Sequence, residues 1–387
     1  MHLISTIAVI FAAFNCLTAA HPTSSEDFAT RSVNTLDDVT IFVPPSTYTI
    51  PRTLYARTLL LETDGDETNV LLATWENYSP EPPYFPIYQS TDSGSTWAEI
   101  SRVTDQVNGW GLRYQPFLYE LPSEFGGFPA GTILCAGNSI PADLSATQID
   151  LYASTDKGLT WTFVSHIASG GVAEPVNGDS PVWEPFLMLF EDEMIVYYSD
   201  QRDPAHGQKL VHQTSTDLLT WASPVDDVAY DVFDDRPGMT TVALLPNGSY
   251  IMTYEFFGAP EASFAVYYRV SDDPTTFDSA PGQVLRATDG TIPTSSPFIV
   301  WSPVGGANGI LAVSANSDSA VFLNQCLGAP NAWTRVTTPE SASYSRNLRV
   351  MPDGTLLITG AGVLSGSDNS VTTSSIDLNS VTLASCD

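Results

Sequence analysis

The chain has 387 residues, of which 43% are hydrophobic and 15% charged, and its 44 acidic and 14 basic side chains give a formal charge of −30. That much apolar material with so little charge excludes a disordered chain, and the lack of basic runs excludes nucleic acid and anionic membrane surfaces as partners. The 26 Gly and 28 Pro favour many short strands and turns over long helices.

Leu3 to Ala20 form an apolar stretch ending in Thr18-Ala19-Ala20, and polar His21-Pro22-Thr23-Ser24-Ser25 follows. Residues 1–20 therefore read as a secretory signal peptide, and 21–387 as a single extracellular domain. Cleavage removes Cys16 and leaves Cys135, Cys326 and Cys386, which predicts one disulfide plus one buried thiol with the pairing open. Two sequons, Asn77-Tyr78-Ser79 and Asn247-Gly248-Ser249, could accept glycans. No Cys/His spacing suits structural zinc, and neither metal nor cofactor is expected.

Along the chain a turn feeding a short apolar run recurs six times. The copies are Asp64-Gly65 before Val70–Trp75, Gly131 before Thr132–Cys135, Asp192 before Met194–Tyr198, Gly248 before Tyr250–Tyr254, Gly306 before Gly309–Val313, and Gly354 before Thr355–Ile358. A second signal runs in phase with it. Ser90-Thr91-Asp92-Ser93-Gly94-Ser95-Thr96-Trp97 returns as Ser154-Thr155-Asp156-Lys157-Gly158-Leu159-Thr160-Trp161, then shortened as Ser215-Thr216-Asp217-Leu218-Leu219-Thr220-Trp221. Repeats of about sixty residues with several short strands each match the blades of a β-propeller. The prediction is an all-β fold with six blades, closed by pairing Val39–Val43 with strands within Val371–Leu383. The repeated Asp motif is the Asp-box, so its carboxylates are read as structural: a catalytic group is needed once, not once per repeat.

Polar residues at the starts of the innermost strands of a propeller converge on one pocket. Arg57, Glu184 and Arg346 each stand eight residues before a turn and are expected to face one another across the axis. Gln115-Pro116-Phe117-Leu118, Glu184-Pro185-Phe186-Leu187 and Ser296-Pro297-Phe298-Ile299 repeat one frame with a variable first residue, and Arg236-Pro237-Gly238-Met239 is a looser copy. Two carboxyls stand out: Glu184, between Trp183 and Pro185, and Glu255, within Thr253-Tyr254-Glu255-Phe256-Phe257. Apolar surroundings raise a carboxyl pKa and suit proton donation near neutrality. Trp110, Arg113, Tyr114 and Gln115 lie near a strand start and offer rings and polar groups for a sugar. Lys209, His206 and His212 are read as clamps of the loop after the third repeat's strand.

The runs Tyr198-Ser199-Asp200-Gln201-Arg202-Asp203-Pro204 through Gln213, Asp234-Asp235-Arg236-Pro237-Gly238-Met239-Thr240-Thr241-Val242 and Glu76-Asn77-Tyr78-Ser79-Pro80 resemble the fungal exo-1,5-α-L-arabinanases of glycoside hydrolase family 93. The resemblance implies a secreted, monomeric, six-bladed enzyme that releases arabinobiose from the non-reducing end of linear arabinan with retention. Its catalytic glutamates map onto Glu184 as acid/base and Glu255 as nucleophile. Arg57, Trp110, Arg113, Tyr114, Gln115, Arg236, Tyr344 and Arg346 are the expected substrate contacts. The alternatives are a sialidase, in which Arg57, Arg236 and Arg346 would grip a carboxylate beside Tyr344, and a carbohydrate-binding propeller without catalysis.

Overall fold

The computed structural model describes residues 35–62 and 69–386, so residues 1–20 and the turn at Asp64-Gly65 lie outside the described residues. It contains six antiparallel sheets of four strands each. In chain order, the first five are β2 (Thr53–Leu60), β3 (Leu71–Asn77), β4 (Phe85–Ser90) and β5 (Ala98–Val103); β6 (Leu112–Glu120), β7 (Ile133–Ser139), β8 (Thr147–Ser154) and β9 (Thr162–Gly170); β10 (Val182–Phe190), β11 (Glu193–Asp200), β12 (Lys209–Ser215) and β13 (Val225–Val228); β14 (Arg236–Leu244), β15 (Tyr250–Phe257), β16 (Ala265–Ser271) and β17 (Gln283–Val284); and β18 (Phe298–Ser302), β19 (Ile310–Ser314), β20 (Val321–Asn324) and β21 (Thr334–Val336). The sixth sheet joins β22 (Asn347–Val350), β23 (Thr355–Gly360) and β24 (Val371–Asp377) to β1 (Val39–Phe42) from the other end of the chain.

The first strands of successive blades touch in the order β2, β6, β10, β14, β18, β22 and back to β2, which closes the ring. The molecule is a six-bladed β-propeller, and the pairing of Val39 with Thr373 seals it as the sequence predicts. The six apolar runs are the second strands β3, β7, β11, β15, β19 and β23. Lying between neighbouring strands and between neighbouring blades, β3 and β7 are buried at every position, whereas β5 at a sheet margin is largely open. Burial on both faces is why these runs are continuously apolar instead of alternating.

Each Asp-box joins the third strand of a blade to the fourth. Asp156 accepts the Thr160 N–H at 2.8 Å and the Ser154 hydroxyl at 2.7 Å, and Trp161 closes the turn by donating Nε1–H to the Gly158 carbonyl at 3.1 Å. Gly158 takes φ +86°, the left-handed region where a side chain is strained. In the shortened copy Leu218 occupies that region at φ 61°. Asp156→Ala is expected to lower stability by about 1–2 kcal/mol, the usual cost of lost side-chain hydrogen bonds, while leaving kcat unchanged. Thermal unfolding and a kinetic assay on the same sample check both halves.

Cys326 and Cys386 form the disulfide, and Cys135 is the buried thiol. The loop clamps are in place as well. Lys209 bridges Asp203 and Asp226 at 2.9 and 2.7 Å, His206 Nδ1 meets the Tyr230 carbonyl at 2.9 Å, and His212 Nδ1 meets Asp227 at 2.9 Å.

Candidate active site

The site is built on a backbone irregularity repeated in all six blades. Tyr55, Gln115, Glu184, Met239, Ser296 and Ser345 each adopt a left-handed φ between 45° and 64° at the start of a first strand. In blades one to four the pairing register shifts at this residue. A bulge of this kind turns one side chain out of the sheet alternation and aims it towards the axis. Holding six non-glycine residues there costs about 1–3 kcal/mol each, a cost that surrounding structure must offset.

Hydrogen bonds between blades supply part of that support. Gln115 N–H donates to Glu76 Oε1 at 3.0 Å, Glu184 N–H to Gln115 Oε1 at 3.1 Å, Met239 N–H to Glu184 Oε2 at 2.9 Å, and Ser296 N–H to Glu255 Oε2 at 2.7 Å. In each case a side chain from the preceding blade caps the next bulge. The bulges that carry the chemistry are thus locked to one another round the ring.

Glu184 and Glu255 meet across two consecutive residues of β14. Met239 binds Glu184 through its N–H, and Gly238, the residue before it, is the cross-strand partner of Glu255. A Cβ at Gly238 would lie 3.5 Å from Glu255 Oε1 and 2.7 Å from Gln208 Nε2, so a side chain here would contact Glu255 and displace the Gln208 amide. Ser199 donates a further bond to Glu184 Oε2 at 2.7 Å. Burial is the largest influence on both carboxyls and raises both pKa values. Glu255 is pushed up to about 7, with the neighbouring Glu184 as the next contributor. Arg236 is the cation that offsets part of this in both.

Both glutamates line a cleft of about 530 Å³ together with Tyr114, Gln115, Arg236 and Tyr344. Arg236 is held over the cleft by the Pro175 carbonyl at 2.6 Å and by Gln201 and Gln208. Tyr344 sits among three carboxyls, and burial followed by the charges of Glu184, Glu255 and Glu76 holds its hydroxyl well above its ordinary range.

Four expected contacts fall elsewhere. Arg346 is fully buried and donates to the Asp318, Ser319 and Ala320 carbonyls, so it fastens a loop. Arg57 donates to the Ala56 and Ser345 carbonyls and the Ser345 hydroxyl, with its guanidinium 3.9 Å over the Tyr55 ring. Counting eight residues from the turn misplaced both, because the bulge that faces the axis is at Tyr55 and Ser345. Arg236-Pro237-Gly238-Met239 is likewise shifted, since its bulge is Met239 and not Arg236. Arg113 forms a two-bond ion pair with Glu81 at 2.8 Å beside the cleft, and Trp110 is tied by its N–H to Asp105. Arg57, Arg236 and Arg346 therefore make no triad.

Tyr78, in the aromatic run Trp75-Glu76-Asn77-Tyr78, also lines the cleft, as do Glu76, Phe257 and Phe264, to which the sequence reading assigned no role in the site. A signal for Glu76 was present: Thr74-Trp75-Glu76 and Thr253-Tyr254-Glu255 are the same pattern on second strands of different blades.

No protein-family model and no curated protein matches the chain. Solved structures do. A family 93 α-L-arabinofuranosidase of Fusarium graminearum bound to arabinobiose is 51% identical over 90% of this chain and 99% of its own, with a TM-score of 0.87. An α-L-arabinanase of Penicillium chrysogenum, also bound to arabinobiose, is 53% identical over 90% of this chain and all of its own, with the same TM-score. A sialidase of Streptococcus pneumoniae at 10% identity and a TM-score of 0.56 shares the fold alone. With about half its residues identical across nine-tenths of its length, and with two half-buried glutamates in one cleft, the chain belongs to glycoside hydrolase family 93.

Proposed function

We propose that the protein is a secreted, monomeric, retaining exo-arabinanase that releases arabinobiose from the non-reducing end of linear α-1,5-arabinan. The observation that carries this reading is the pair Glu184 and Glu255, held at the consecutive residues Met239 and Gly238 of β14 and lining one cleft, in a chain about half identical to proteins solved in complex with arabinobiose. In a retaining glycosidase two carboxyls about 5–5.5 Å apart act as nucleophile and acid/base. Glu184 takes both of its bonds from Ser199 and Met239 on Oε2, so the mobile proton belongs on Oε1 for delivery to the leaving oxygen. Glu255, which burial pushes up to about 7, attacks the anomeric carbon from its ionised fraction, the minority form at pH 6, which the charge of Arg236 favours. Water then releases the sugar from Glu255 with Glu184 acting as base.

Secretion rests on the apolar segment Leu3–Ala20. Of the two sequons, Asn247 is exposed in a turn, whereas Asn77 is buried and donates Nδ2–H to the Ser79 carbonyl at 2.7 Å, so the proposed glycan site is Asn247. The charge of −30 suits a neutral arabinan chain and repels the polygalacturonate that surrounds it.

Time-resolved chromatography of linear and branched arabinan digests tests the reading. Arabinobiose is expected as the first and dominant product from the linear polymer, with slower release from the branched one. A ladder of longer oligosaccharides at early times would mean endo cleavage. Inactivity on arabinan with release of sialic acid from sialosides would reverse the assignment.

A further inference from the structure

A third carboxyl, Glu76 on β3, lines the same cleft. It is the counterpart of Glu255 three blades away. Glu76 pairs with Leu54 and Glu255 with Gly238, in each case the residue just before the blade's left-handed bulge. Each accepts the bulge N–H of the following blade, Gln115 for one and Ser296 for the other. The hydrolytic steps above give Glu76 no part.

Its connections run towards Glu184. Glu76 Oε1 caps the Gln115 N–H at 3.0 Å, Asn138 Nδ2 fixes the Gln115 side-chain oxygen at 2.8 Å, and that oxygen caps the Glu184 N–H at 3.1 Å. Tyr78 donates its hydroxyl to the other Glu76 oxygen at 3.0 Å. We propose that Glu76 is a positioning residue of the hydrolytic reaction, anchoring the Gln115 bulge whose side chain in turn fixes the backbone of Glu184. The inference rests on the reading of Glu184 as acid/base.

The groups that bear on Glu76 are Tyr55, Tyr78, Tyr114, Tyr344, Arg57 and Glu184. The one cation among them, Arg57, spends its guanidinium on Ala56 and Ser345. Burial pushes the Glu76 carboxyl up to about 8, so at pH 6 it is an uncharged acid with a carbonyl oxygen for Gln115. A glutamine side chain offers the same carbonyl acceptor and no charge. The three cleft glutamates therefore separate by one substitution: glutamine replaces Glu76 in kind, and cannot replace a nucleophile or a proton donor.

The test compares Glu76→Ala, Glu76→Gln, Gln115→Ala, the double variant Glu76→Ala/Gln115→Ala and Glu184→Gln with the parent on linear arabinan at pH 6, measuring kcat and KM and recording thermal unfolding of each. Glu76→Ala is expected to lower kcat by about 10–100-fold, within the loss a misplaced catalytic group causes, with KM changed less than about threefold. Glu76→Gln should restore kcat to within about fivefold of the parent. Gln115→Ala should reproduce the loss of Glu76→Ala, and the double variant should lose no more than either single one, because both act through one chain of bonds. A Glu76→Gln enzyme as inactive as Glu184→Gln, a Glu76→Ala effect confined to KM, or additive losses in the double variant would each overturn the proposal. Should Glu76→Ala fail to fold, the Gln115→Ala and Glu76→Gln arms still decide it. Full activity of Glu184→Gln would instead remove the acid/base reading beneath it.

Discussion

Glu255→Ala is expected to lower kcat on linear arabinan by at least about 10³-fold, and Glu184→Ala by about 10²–10⁴-fold, the range lost when a general acid–base or nucleophilic group is removed. Two equal losses would not distinguish the roles, but added azide does. Without Glu255, azide takes its place at the anomeric carbon and the leaving alcohol departs with the Glu184 proton. One displacement gives a glycosyl azide of inverted configuration. Without Glu184, an activated aryl arabinoside still forms the Glu255 ester, since its leaving group needs no proton. Azide then opens that ester from the other face, and two displacements give the retained azide. NMR of the anomeric proton reads the outcome. Retained product from Glu255→Ala would exchange the two roles, and undiminished hydrolysis by either variant would end the assignment. The physical basis is the unequal hydrogen bonding of the two groups: Glu184 Oε2 accepts from the Ser199 hydroxyl and the Met239 N–H, leaving Oε1 for the proton, while Glu255 Oε2 accepts the Ser296 N–H; the charge of Arg236 acts on both.

The ring of blades was legible because it is written six times. Each second strand, from Val70–Trp75 to Thr355–Ile358, sits where the turn-and-apolar-run signal places it, and the pairing of β1 with β24 follows from the need to leave no open edge. The phase of the innermost strands was less legible. It depends on which residue takes the left-handed bulge, and that residue is followed by proline only at Gln115, Glu184 and Ser296. At Tyr55, Met239 and Ser345 no such marker exists, so counting from the turn assigned Arg57 and Arg346 to an axis they do not face. Arginine misleads in particular here: a buried guanidinium with several carbonyls around it is as stable as one aimed at a ligand, and the two look alike in sequence. Glu76 was missed for a different reason, since its match to Glu255 is three residues long and its role depends on hydrogen bonds that join separate blades.

Buried carboxyls that serve the site should also set how stability depends on pH. Glu76 is pushed up to about 8 and Glu255 to about 7, from an ordinary value of 4.5. Below about pH 4.5 the folded and unfolded chains both hold these protons, and neither group contributes. As the pH rises towards 8 the unfolded carboxyls ionise while the folded ones stay protonated, so the folded state is progressively disfavoured until the folded groups also titrate. Asp150 and Asp227, both raised to about 6, act in the same direction over a lower window. Asp105 and Asp318 act in the opposite sense. Hydrogen-bond donors hold their carboxylates below the usual range, so the stability they contribute is lost only as the pH falls through those lowered values. Maximum stability is therefore expected on the acid side of neutrality, where neither set is penalised. Glu76→Gln isolates the carboxyl pushed up furthest of the four that are raised. Relative to the parent it should leave the unfolding free energy nearly unchanged near pH 4.5 and raise it by about 4–5 kcal/mol at pH 8.5, given about 1.4 kcal/mol per pKa unit. Denaturant unfolding of both proteins across that range measures the difference. Parallel curves would mean that Glu76 ionises in the folded protein as it does in the unfolded chain. A widening gap would show that the cleft keeps a carboxyl at a standing cost in stability, as expected of a group retained for the reaction.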